Sequence, residues 1–201
     1  MADSILEQLM GQLSGGAMQQ MSQSLGADED STRKGLGAAL PVLITALQRN
    51  ASQPGGADAL KGALERDHDG GILDDLGGFL NSPQRGNGAG ILGHVLGGRR
   101  GNVEQGLAKS TGMDLSQMGG LLEMAAPLVM GALGKKQREG SLGSGGLADL
   151  LGGEREAVRR REPEATDLLT SMLDEDGDGS VMDDIAGKLG KGLLDRFLGG
   201  R

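Results

Sequence analysis

The first periodic signal in the chain is the set Ile5, Leu6, Leu9, Met10 and Leu13. This spacing puts the apolar side chains on one face of a helix of about 3.6 residues per turn. Ile91, Leu92, Val95 and Leu96 repeat that face further along. Two other stretches, residues 38–47 and 124–133, are apolar nearly all round, and a helix without a polar face predicts a buried central element. Each holds a proline, Pro41 and Pro127, which removes one amide donor and is expected to kink its helix or open its second half. These two helices should pack together near a pseudo-twofold axis. No segment shows the β-branched alternation of a strand. Glycine pairs at Gly15-Gly16, Gly55-Gly56, Gly97-Gly98 and Gly145-Gly146 stand between the periodic segments, where they suit helix C-caps and tight turns. The expected fold class is all-α, built from short helices.

Sliding the sequence by 86 positions lays its first part on its middle. Ile5 and Leu6 fall on Ile91 and Leu92, Gln19 on Gln105, Ser24 on Ser110, Gly26 on Gly112, Asp28 on Asp114 and Pro41 on Pro127. Further on the offset is 109, where Asp67, Asp69, Gly70, Asp74 and Asp75 meet Asp176, Asp178, Gly179, Asp183 and Asp184. The change places a net insertion of 23 residues between Gln137 and Asp174. Residues 192–201 match residues 90–99 and give helix one a third time. The chain therefore divides into a first helical unit at 4–89, a second at 90–191, and a partial third copy at 192–201 that forms a closing helix. Residues 138–166 differ in kind. Gly140, Ser141, Gly143, Ser144, Gly145 and Gly146 suggest a flexible linker. The charged run at 154–164, with Arg159, Arg160 and Arg161 between glutamates, is expected to be a solvated helix or loop.

Composition narrows the function. The 201 residues include 39 glycines, no cysteine, tryptophan or tyrosine, and only Phe79 and Phe197 as aromatic residues. Thiol chemistry, disulfides and zinc–thiolate sites are excluded. A formal charge of −8 repels phosphate, and almost no ring is available to stack on a base, so no nucleic-acid partner is expected. The opening residues carry acids and no basic run, and no apolar stretch reaches the roughly 20 residues of a membrane span. A cytoplasmic protein without a membrane span is the expectation.

The sharpest chemical motif is the acid-rich run at 174–184. Asp174, Asp176 and Asp178 occupy positions 1, 3 and 5 of a calcium loop of EF-hand type, Gly179 occupies position 6 and Val181 position 8. Calcium takes six to eight hard oxygens, and the glycine lets the chain turn so that alternate carboxylates point inward. Position 12 departs from the pattern, because Ile185 stands where a bidentate glutamate belongs, leaving Asp183 or Asp184 to complete the set. The competing account is a helix cap, with Ser180 and Asp183 at capping-box spacing. The first copy retains Glu65, Asp67, Asp69 and Asp74 but sets Arg66 and His68 among them. Gly88, Gly90 and Gly93 satisfy a dinucleotide fingerprint, yet no strand precedes them, which leaves the match to glycine abundance. His94 aligns with Gln8 and Arg196 and is expected to be a polar position on helix one.

The motifs around His68 to Leu76, Gly90 to Gly98, Val103-Glu104-Gln105 and Ala125-Ala126-Pro127-Leu128 resemble the YidB-like family of bacterial proteins of unknown function. The resemblance implies a small all-helical bacterial protein and supplies no reaction, cofactor or site. From the residues themselves, the expected function is non-catalytic: protein–protein contact, foremost self-assembly into a homo-oligomer. A calcium-binding module using the Asp-rich run is the alternative.

Overall fold

A computed structural model describes residues 4–161, and every regular element among them is helical. In chain order these are α1 (Ile5–Gln12), α2 (Gly16–Leu25), α3 (Glu29–Ala51), α4 (Gly56–Asp67), α5 (Gly71–Asp74), α6 (Leu76–Leu80), α7 (Gly88–Val95), α8 (Arg100–Thr111), α9 (Leu115–Glu139) and α10 (Ser144–Arg161). Short 3-10 turns occupy Pro83–Gly86 and Gly97–Arg99. The Asp-rich run at 174–184 and the helix-one copy at 192–201 lie outside the described residues.

Local sequence sets the helix ends. Ser4 opens α1 with a capping box: its hydroxyl accepts from the Glu7 amide at 3.2 Å, and the Glu7 carboxylate accepts from the Ser4 amide at 3.3 Å. α2 closes on Gly26 and α8 on Gly112, at φ of 63° and 78°. A side chain would strain this left-handed geometry, and glycine adopts it freely. Two residues later an aspartate starts the next helix. The Asp28 carboxylate accepts from the Ser31 amide and hydroxyl at 2.8 and 2.7 Å, which holds its pKa below the ordinary value. Asp114 and Gln117 form the corresponding box at the head of α9.

The two long helices make the centre. α3 and α9 pack against each other, as their apolar girth predicts. Leu36, Leu40, Leu43 and Ile44 of α3 and Leu121, Leu122, Leu128, Val129 and Leu133 of α9 are buried. Each such side chain removed from water contributes about 1.5–3 kcal/mol, so this pair dominates the stability of the domain. α2 and α8 flank it, each touching both long helices, while α4 and α7 lie across one side.

Each proline lies within its helix: α3 runs through Pro41 and α9 through Pro127. A helical proline withholds the amide that would bond the carbonyl four residues back, which here is that of Glu123 for Pro127 and that of Gly37 for Pro41. At Glu123 the backbone of Gly88, the first residue of α7, fills the place: a methyl added to Gly88 would overlap the Glu123 carbonyl. α7 can therefore lie directly on α9.

The segment expected to be a flexible linker is a turn followed by a helix. Gly140 and Ser141 turn the chain, Ser144 opens α10, and Gly145 and Gly146 lie within its first turns. Leu147, Leu151 and Val158 of α10 are buried, and the helix packs on α3 and α4. Burial of this stripe outweighs the helix cost of its glycines, about 1 kcal/mol each relative to alanine. The charged run is consequently part of a packed helix through residue 161, with Glu154 inside and Arg159 at the surface.

Two glycines of α7 separate close approach from mere flexibility. Gly88→Ala should lower the unfolding free energy by about 1–3 kcal/mol, because the added methyl forces backbone apart. Gly93, where a Cβ would meet nothing within 4 Å, should gain about 0.5–1 kcal/mol on substitution by alanine. Denaturant unfolding midpoints of the two variants check both signs.

Candidate functional site

The first acid-rich segment, between α4 and α6, is a docking element. α4 ends at Asp67, His68 caps it, and Gly70 turns the chain at φ 99°. The Asp69 carboxylate accepts from the Gly71 amide at 3.0 Å, and Asp75 accepts from the Gly78 amide at 3.0 Å. The segment lies against two thin places on α9: a methyl on Gly134 would overlap the His68 carbonyl, and one on Gly131 would overlap Ile72. Cations of α9 face its acids, with Arg138 3.5 Å from Asp69 and Lys135 3.7 Å from Asp74. Glu65 pairs instead with Lys61 at 2.6 Å. These are largely exposed pairs worth at most about 1 kcal/mol each, so they orient the segment more than they stabilise it. The acids diverge toward separate partners, and among the described residues no group of three His, Asp or Glu side chains is placed to hold a metal ion.

Beside this segment, α4 and α7 stand apart over α3 and α9 and leave a groove of about 330 Å³. Leu47, Leu60, Ala63, Ile91, Val95 and Met130 give it apolar walls. Asn50, Arg66, Asp67, His68, Asn87 and His94 supply the polar groups. A second cleft of about 780 Å³ shares Arg66, Asp67, His68 and Asn87 and continues toward Ile72, Asp75 and Phe79. Asn87 also borders a third recess at Leu25, Glu123 and Met124. It stands at φ 50°, a left-handed geometry that asparagine tolerates better than most residues with a side chain.

Both histidines of the chain reach this groove, although the sequence places them in unrelated segments. His94 is exposed on α7, as expected of a polar position, with Nδ1 3.3 Å from the carbonyl of Gly90 in its own helix. The Asn50 amide, from α3, donates to the Val95 carbonyl at 2.9 Å and so holds the end of α7. His68 is half-buried, and burial lowers its pKa against the opposing charge of Asp67. Burial thus favours its neutral form, a ring able to donate and accept one hydrogen bond each. The groove thus joins apolar walls to a set of polar groups.

Two charged clusters fix the frame around it. Arg100 bridges Glu104 and Glu123 at 2.6 Å each, which raises its pKa and ties α8 to the stretch of α9 just before Pro127. Elsewhere, Glu154 of α10 is buried and accepts from the Ile5 amide at 3.0 Å through Oε1. Its Oε2 has no hydrogen-bond partner among the described residues. Burial raises the Glu154 pKa, partly opposed by the Ile5 amide and by Lys136.

No helix among the described residues is long and apolar enough to cross a membrane. A model of a family of bacterial proteins of unknown function (DUF937) matches residues 7–136, from α1 to near the end of α9. No curated protein and no solved structure matches the chain.

The buried carboxyl carries a pH signature. Because the folded state holds the Glu154 proton more tightly than the unfolded chain, its contribution to stability rises as pH falls through the folded pKa toward the ordinary 4.5. His68 acts in the opposite sense, since acidification below its ordinary 6.5 favours the unfolded state. Glu154→Gln removes only the first effect. The variant should gain on the parent in unfolding free energy as pH rises above the ordinary glutamate value of 4.5, and a difference that stays flat would contradict the burial argument.

Proposed function

The chain belongs to that family of bacterial proteins of unknown function, and we propose that it is a non-catalytic helical protein that works through protein–protein contacts, foremost self-association. The observation that carries this reading is the apolar groove between α4 and α7, which lies beside the buried core. Its walls suit the apolar edge of another helix. The only large hydrophobic side chain that is mainly exposed among the described residues is Leu115. Contact through the groove is thus a better reading than contact through a flat greasy face. An acidic chain with almost no rings suits a protein partner rather than a nucleic acid.

The same reading includes a tandem doubling of one helical module. Support comes from the joints, because a left-handed glycine and then an aspartate lead into each long helix, at Gly26 and Asp28 and again at Gly112 and Asp114. α3 and α9 start at Glu29 and Leu115, and their prolines sit at the same depth. α7 begins at Gly88, two residues before the second unit taken from sequence.

The second reading, calcium binding through Asp174, Asp176, Asp178 and Asp183 or Asp184, rests on acid spacing alone. Light scattering over rising protein concentration, with and without millimolar calcium, tests both. Self-association predicts a mass that climbs above the 20.5 kDa of one chain, and Leu60→Asp in the groove wall should reduce that climb. A strict monomer at every concentration counts against it. A calcium-dependent change that is lost in the Asp176→Ala, Asp178→Ala variant would favour the second reading.

A further inference from the structure

Helix α9 opens on the one large apolar side chain that stands mainly in water among the described residues. Leu115 is 49% exposed, and its neighbours Asp114 and Ser116 are exposed with it. Local chemistry does not call for a leucine there. The head of α3 carries Glu29 in the same place, first in its helix after an aspartate cap. An acid at that position gains from the positive end of the helix dipole, and a leucine gains nothing. The core does not claim the side chain either, because Met113 and Met118 supply the buried positions on either side of it.

The groove between α4 and α7 has the complementary character. Leu60, Ala63, Ile91 and Val95 line an opening of about 330 Å³, room for a branched aliphatic side chain. The charges match as well. The knob brings the exposed Asp114 carboxylate beside Leu115, and the groove carries Arg66, whose side chain is 72% exposed. Asp67, the groove's own acid, lies 4.0 Å from Arg66, and Asn87 makes no cap bond to its own helix. Arg66 and Asn87 therefore have donors to offer an incoming carboxylate. A chain cannot fill its own groove with this leucine. Met130, which lines the groove, lies about 22 Å further along the same helix than Leu115.

We propose that Leu115 of one copy seats in the groove between α4 and α7 of a second copy, with Asp114 facing Arg66 at the rim. The assignment rests on the self-association reading and names the segment that occupies the groove. One leucine with its exposed neighbours covers less than the roughly 1,200 Å² of a standard interface, so the contact forms weakly and reversibly at high protein concentration. It joins unlike patches, so copies either pair reciprocally about a twofold axis or add head to tail.

Two variants at exposed positions test the pairing by complementation in the full-length chain. Leu115→Glu installs the residue type that α3 uses at its own head, which favours the helix. Ala59→Glu places a carboxylate at an exposed position of the groove, in the first half of α4. Far-ultraviolet circular dichroism of both should match the parent. Light scattering should show the parent rising above 20.5 kDa with concentration and each variant alone held at that mass. An equimolar mixture should regain association and stop at two chains, because one variant keeps the groove and the other keeps the knob. Association of either variant equal to the parent's overturns the proposal and leaves self-association through another surface. A mixture that stays at one chain where the parent associates also overturns it. A parent that stays at one chain at every concentration rejects both readings.

Discussion

Everything in the fold depends on the burial of α3 against α9. Two helices of 23 and 25 residues, apolar nearly all round at their centres, have no stable alternative in water. With Phe79 the one buried aromatic ring among the described residues, the core is otherwise made of Leu, Ile, Val, Met and Ala. These side chains are slim, so the helices around the pair must come close to exclude water. The chain achieves that closeness by removing side chains from the contact.

Glycine therefore serves packing here as much as turning. α7 rests on α9 at Gly88, and the segment after α4 rests on it at Gly131 and Gly134. At Gly88 and Gly134 backbone meets backbone, and at Gly131 the α9 backbone meets the Ile72 side chain. At Gly88 the contact also covers a carbonyl that Pro127 has released, so a residue that would weaken a solitary helix becomes part of a joint between two. Arg100 ties the same stretch of α9 to α8 through Glu123 and Glu104. A groove flanked by elements held in this way has defined walls, as the proposed protein contact requires.

The sequence made some of this legible and withheld the rest for identifiable reasons. The stripe from Ile5 to Leu13 and the two central helices follow from local periodicity, and both are present, whereas the glycine and aspartate joints before α3 and α9 show in the sequence only as residues matched at the 86-residue offset. The helical course of residues 144–161 was hidden, because its glycines weigh locally toward a linker, while the burial of Leu147 and Leu151 depends on α3 and α4 far away in the chain. The meeting of His68 and His94 in one groove is likewise tertiary. The acids of the first Asp-rich segment looked like potential ligands by spacing, and the cations that separate them, Lys135 and Arg138, come from a helix no local pattern links to it. Family membership, which the quoted motifs indicated, holds over residues 7–136 and brings no chemistry with it.

Native-state hydrogen exchange tests the central claim most directly. If the α3–α9 pair is the unit on which the rest is built, amides at the buried centres of both helices will exchange slowest, with one shared opening free energy equal to that of global unfolding. Exchange from either centre through an independent opening of lower free energy, with the other still protected, would contradict the account.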